Sequence, residues 1–245
     1  IVASLAVVAE SAGRADLAIE AYRRVVASAP HAADIRVKLA SLLLRNRRLD
    51  EARQQAEFAS EAEEEPLRVD AHHLLARIAL ARRDIDTARL EAERIRAIDG
   101  ASPLPDFIEG RVLTERAEYD EAIARFDAAV ALSDNRPVAD LQLARGEALA
   151  KAGRLFEAES AMLDEIRAFP ASIRAYLALA TLYYGDQRPD EAAAVIERMT
   201  KSRRSAEAFD SAVRFWTAVG DRARADAARE NAHRRLAAGT ASVTH

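Results

Sequence analysis

Seven alanines recur along the chain at nearly constant spacing and in similar surroundings: Ala18, Ala52, Ala88, Ala122, Ala158, Ala192 and Ala225. The intervals are 34, 36, 34, 36, 34 and 33 residues. A fixed period of this size marks a solenoid, where one supersecondary unit is stacked repeatedly because a single copy cannot bury its own apolar face. Two stretches make the repetition plain. Residues 13–30 read GRADLAIEAYRRVVASAP and residues 153–170 read GRLFEAESAMLDEIRAFP. Each opens on Gly-Arg, has alanine five positions on, and closes on proline.

The surroundings of each alanine read as two helices. Acidic turns such as Leu49-Asp50-Glu51 and Tyr119-Asp120-Glu121 suit a helix N-terminus, where carboxylates meet the positive end of the helix dipole. Four residues after each alanine stands Tyr22, Ala56, Ala92, Phe126, Met162, Ile196 or Arg229. A spacing of four places both on one helical face. The helix then stops near Pro30, Pro66, Gly100, Asp134 or Pro170. An earlier helix in each unit carries its own stripe, as in Leu39, Ala40, Leu43 and in Leu75, Ala76, Ala79. A thin residue recurs there at Ala40, Ala76, Gly110, Gly146 and Ala180, the requirement for close helix approach. Half the residues are hydrophobic but only 5% are aromatic, and eight glycines with seven prolines are too few for many strands and turns. An all-α chain of amphipathic helices follows.

These marks resemble the tetratricopeptide repeat family: the Leu/small pair, the Gly-Arg or Arg-Asp turn, the alanine, its partner four later and the closing proline. The resemblance covers essentially the whole chain and implies a right-handed α-solenoid of about seven helical hairpins. The units fall at about 1–32, 33–66, 67–102, 103–136, 137–170, 171–204 and 205–239. Two units each carry an extra pair of residues, around Glu63–Pro66 and around Asp134–Pro137, which belong in loops. The tryptophan of the family's first helix is absent; Trp216 falls further along the last such helix. Arg229 makes the final helix polar where earlier units are apolar, as a terminal helix needs. Gly239 is then expected to stop it, leaving 240–245 disordered. Val2, Leu5, Val7 and Val8 make the opening helix apolar on more than one side. With no initiating Met, this suggests a piece of a longer protein, with further repeats or another domain ahead of Ile1.

Several classes of function are disfavoured. The net charge of −4, from 36 basic and 40 acidic residues, provides no basic field for nucleic acid. There is no cysteine, hence no disulfide, thiolate site or Cys nucleophile. No run approaches the ~20 apolar residues that span a bilayer. His72 and His73 are neighbours on different helix faces, so they make no metal pair; no phosphate loop, nucleophile elbow or HExxH occurs. Glu63, Glu64 and Glu65 read as a solvated helix end. The pairs Arg47-Arg48, Arg82-Arg83 and Arg203-Arg204 sit near turns beside acids that oppose them, and Arg234-Arg235 lies on the last helix. The expectation is a soluble, cytoplasmic or periplasmic, bacterial protein, not an enzyme, with no cofactor and no metal.

A binding surface remains. In stacked hairpins the first helices line the inner wall, and its outward positions are Lys38, Ser41, His73, Arg77, Phe107, Arg111, Glu147, Thr181, Tyr184 and Arg214. Aromatic anchors with arginines for carboxylates suit a peptide or partner protein. One branch of the family clamps a partner's C-terminal carboxylate with lysines and asparagines. Here those positions hold Ala3 and Val7, Val37 and Ser41, His73 and Arg77, so that ligand does not carry over. The expected function is a non-catalytic protein–protein interaction scaffold. The alternatives are a recruiting repeat region of a larger multidomain enzyme, or a self-assembly module acting through the N-terminal helix.

Overall fold

The computed structural model describes residues 2–11, 13–133, 136–202 and 205–241. Among them the chain forms fourteen α-helices and no strand. They pair in sequence: α1 (Val2–Ser11) with α2 (Ala15–Ser28), α3 (Ala33–Arg45) with α4 (Leu49–Ala59), and α5 (Glu65–Ala81) with α6 (Ile85–Ile98). Then come α7 (Leu104–Glu115) with α8 (Tyr119–Leu132), and α9 (Leu141–Lys151) followed by α10 (Leu155–Ala168). Last are α11 (Ile173–Gly185) with α12 (Pro189–Ser202) and α13 (Ala206–Ala218) with α14 (Arg222–Ala241). The chain is all-α and repeats at the period of its alanines.

The turns from odd-numbered to even-numbered helices share one backbone conformation, and six of them share one hydrogen bond. One residue enters the left-handed region, at Gly13, Arg47, Arg83, Ala117, Gly153, Gln187 and Gly220. Each lies five positions before a repeating alanine. The next amide then reaches back to a carbonyl of the helix just ended: Arg14 to Ala9 at 2.8 Å, Arg48 to Leu43 at 3.0 Å, Asp84 to Ala79 at 2.9 Å, Glu118 to Leu113 at 3.0 Å. Arg188 to Tyr183 and Asp221 to Trp216 repeat it. This is the Schellman closure, which satisfies an orphan carbonyl and reverses the chain at once.

The repeating alanines are all buried, none more than 2% exposed. So are Tyr22, Phe126, Met162 and Ile196 four positions later. The thin positions of the first helices are buried too, and Gly110 shows why. A Cβ there would stand 2.6 Å from the Phe126 ring, so only glycine lets α7 and α8 meet at this distance. Between α5 and α6 lies a buried polar pair, His72 Nδ1 to Glu91 Oε2 at 2.7 Å.

The chain divides into two compact units, Ile1–Ala152 and Gly153–His245. In the first, α3 packs on α5, α5 on α7 and α7 on α9, besides the contacts within and between pairs. No even-numbered helix packs on another there among the described residues. The odd-numbered helices are therefore the closer-spaced inner layer of that unit. In the second unit α11 packs on α13 in the same way.

Two local expectations change. Pro66 does not end α4, which stops at Ala59; it sits in the first turn of α5, where its missing N–H leaves no bond unmade. α14 runs through Gly239 to Ala241, because a glycine close to a helix end costs too little to stop it. Residues 242–245 of the expected tail lie outside the described residues, as do Asp134, Arg203 and Arg204.

Candidate functional site

The inner layer of the first unit opens into a cleft of about 460 Å³. Val37 and Ser41 of α3 form one side, and Asp70, His73, Leu74 and Arg77 of α5 form the floor. Ser102, Pro103 and Leu104 at the start of α7, with Val138 and Ala139 from the α8–α9 connection, complete its lining. The cleft follows from helix stacking: successive odd helices present residues at the same height, four apart on each helix.

His73 is the polar centre of the floor. Its Nε2 is enclosed and finds no hydrogen-bond partner among the described residues, while its ring meets Phe107 edge-on at 5.8 Å. Burial first, then the positive charges of Arg77 and Arg111, push its pKa down to about 3. At ordinary pH it is therefore a neutral imidazole flanked by two cations. Arg77 pairs with Asp140 at 3.6 Å. Arg111, half-buried, has no carboxylate within ion-pair distance among the described residues. Also on α5, partial burial raises the Asp70 pKa.

Of the residues read from the sequence as groove positions, Ser41, His73 and Arg77 line this cleft, and the charge of Arg111 is felt at His73. Lys38 is exposed on α3, and Glu147 is half-buried on α9; neither lines it. Phe107 is a correction. It is 3% exposed, packed between His73 and Phe126, because Gly110 lets the Phe126 ring in beside it. It supports the floor and offers no anchor to a partner. Tyr184 and Arg214 belong to the second unit. The Tyr184 hydroxyl donates to the Val219 carbonyl at 3.4 Å and its ring packs on Phe215 and Trp216; Arg214, exposed, donates to Ser211 Oγ. Asp70, Val138, Ala139 and Asp140 were not expected at the site. The one sequence signal for the last three is the pair of extra residues at Asp134–Pro137.

The second unit has a smaller cleft of about 260 Å³, between α12, α13 and α14. Its cation, Arg224, lies 5.2 Å from the Trp216 ring centre and already pairs with Asp190 and Asp221. Among the described residues no three His, Cys, Asp or Glu side chains gather as a metal site, and no helix is long and apolar enough to cross a membrane.

Comparison with known proteins settles the ancestry of the array. A tetratricopeptide repeat family model matches residues 4–57, 37–103 and 109–173, well over half the chain. The chain belongs to the tetratricopeptide repeat family. Its repeats make it a protein–protein interaction scaffold. A TPR repeat-containing thioredoxin of Arabidopsis thaliana is 39% identical over 74 residues, 30% of this chain; the match spans 11% of that relative's length. A thermophilic TPR protein of Thermus thermophilus shares the fold at a TM-score of 0.63 and 21% identity, over 77% of this chain and 99% of the other. Yeast Tom70 does so at 0.58 and 16%, over 84% and 44%. At these identities the two structures speak for the fold alone. Within the tetratricopeptide array, the first-unit cleft is where an unsatisfied polar atom, cations and open volume coincide among the described residues.

Proposed function

We propose that the chain is a non-catalytic scaffold that holds an extended segment of a partner protein in the first-unit cleft. The observation that carries this reading is the floor itself: a neutral His73 with an unsatisfied Nε2, set between Arg77 and Arg111. A buried polar atom without a partner costs free energy, and an incoming peptide group that reaches it through a small rearrangement of the floor supplies what it lacks. The two arginines favour carboxylates, and Val37 and Leu74 offer apolar contact. Because the helices are held by their own stacking, binding orders little of the protein. The soluble compartment in which this happens stays an expectation of the sequence.

Affinity capture tests the reading. The unaltered chain and an Arg77→Glu/Arg111→Glu variant are used as baits, with circular dichroism confirming equal helix content. The proteins held by the first are expected to be lost from the second. Identical sets would place the working surface elsewhere.

A second reading rests on α1, where Leu5 and Val8 are 60% and 63% exposed and Val7 is exposed beside them. Such a face fits self-association or docking on a neighbouring domain. Light scattering over a range of concentrations, repeated with Leu5→Glu/Val8→Glu, is expected to show concentration-dependent mass only for the unaltered chain. A monomer at every concentration would exclude self-association through α1.

A further inference from the structure

The cation best placed to receive a partner already holds a carboxylate from its own chain. Residues 136–140 lead into α9, and they turn into the cleft, so that Val138 and Ala139 line it and Asp140 reaches Arg77 at 3.6 Å. Asp140 is the residue that caps α9. An aspartate there ordinarily folds its carboxylate onto the first helical amides, a contact that contributes about 1 kcal/mol. Asp140 makes no such bond, and its backbone is left-handed at φ 68°. Every other left-handed residue described lies five positions before a repeating alanine, where an odd-numbered helix gives way to the next even-numbered one. Asp140 alone lies between hairpins, so the repeat itself does not require its conformation. The local preference has been set aside for a contact with α5.

We infer that segment 136–140 is a built-in occupant of the cleft, and that the partner displacing it presents a carboxylate two residues after a branched apolar side chain. The inference rests on the proposed role of the cleft and deepens it. The arm is its own template: Val138 supplies the branched side chain, Ala139 the thin spacer and Asp140 the carboxylate. Its hold is weak, since Arg77 and Asp140 meet at a partly exposed pair of the kind that contributes at most about 1 kcal/mol. Its advantage is proximity, for a short tether keeps it at an effective concentration on the order of millimolar. A partner wins by adding contacts the arm does not make, such as one to Arg111, which has no carboxylate within ion-pair distance among the described residues.

The probe is the acetylated and amidated peptide Pro-Val-Ala-Asp-Leu-Gln, the chain's own residues 137–142, titrated by NMR to millimolar concentration. It is added to the full chain, to Asp140→Asn and to Arg77→Gln. Asparagine keeps the capping group and tolerates the left-handed backbone, so the first variant removes only the charge. A second readout uses the absence of cysteine: Pro137→Cys, at an exposed position, carries a single spin label. The expected result is roughly five-fold tighter binding to Asp140→Asn than to the unaltered chain, the ratio equivalent to about 1 kcal/mol. Binding should be lost in Arg77→Gln, and the label should become mobile both in Asp140→Asn and at saturating peptide. Equal affinity for the unaltered chain and Asp140→Asn, or a label unmoved by peptide, overturns the inference. If Arg77→Gln still abolishes binding in that case, the cleft keeps its proposed role and only the arm fails. Binding indifferent to Arg77, or absent from all three proteins, overturns the arm and counts against the cleft together.

Discussion

At Ala117 the backbone is left-handed, φ 61°, although the side chain there is a methyl group. Three of the equivalent turns use glycine; the others use Arg47, Arg83 and Gln187. An L-residue in this region costs about 1 kcal/mol, and the Schellman bonds of the turn offset it. Ala117→Gly is therefore expected to stabilise the chain by somewhat under 1 kcal/mol, since glycine's extra freedom when unfolded takes back part of the gain. Thermal unfolding checks it: a lowered midpoint would mean that the methyl group packs usefully. His73 makes a second prediction. Its pKa is about 3 when folded and about 6.5 when unfolded. Between those values the unfolded chain binds the extra proton, so stability falls as pH falls below about 6.5 and has no such slope above it. From pH 6.5 to 5 the loss from this residue is up to about 2 kcal/mol. In His73→Gln that part of the acid sensitivity should vanish, as urea unfolding at both pH values would reveal; an unchanged slope would mean that His73 takes up its proton freely in the fold. The thin position at Gly110 was legible in the sequence because its role is periodic. The burial of Phe107 was not, because it depends on a ring from α8 that glycine admits.

The helical pair is the level at which the sequence spoke most clearly. Period, acidic first turns and the spacing of four all concern contacts within one pair or with the next, and such contacts repeat. The polar pair between α5 and α6 stands where Arg36 meets Gln55 and Arg125 meets Asp106 in the hairpins on either side, but its residue types change from unit to unit, so nothing in the pattern announced it. His72 and Glu91 are both buried, and Glu91 also accepts from Arg94 at 2.9 Å. Breaking a buried pair on one side leaves an uncompensated polar group, which costs about 3 kcal/mol or more. Glu91→Ala is expected to destabilise the chain by about that much in denaturant unfolding. The double replacement His72→Leu/Glu91→Met should recover most of the loss, because apolar groups of similar volume need no partner. A double variant no better than the single one would show that Glu91 acts through Arg94 instead. The α8–α9 connection was illegible for a related reason. Two surplus residues reveal that a loop is longer, but its inward course shows only in its contact with Arg77, distant in sequence.

Across the molecule, the same repeat that makes the chain readable also leaves its specificity in the exceptions. Seven similar turns and seven buried alanines build walls; Arg77, Arg111, His73 and the arm at 136–140 distinguish one stretch of wall from the rest. The pattern therefore identifies a scaffold readily and its ligand poorly. The most direct measurement of whether that stretch is the working surface is site-specific photocrosslinking. A benzophenone amino acid is placed at Ser41, inside the cleft, or at Leu90, exposed on α6 away from it, and each protein is irradiated with the partner captured by the unaltered chain. The account predicts an adduct from position 41 and none from position 90. An adduct from position 90 alone would contradict it.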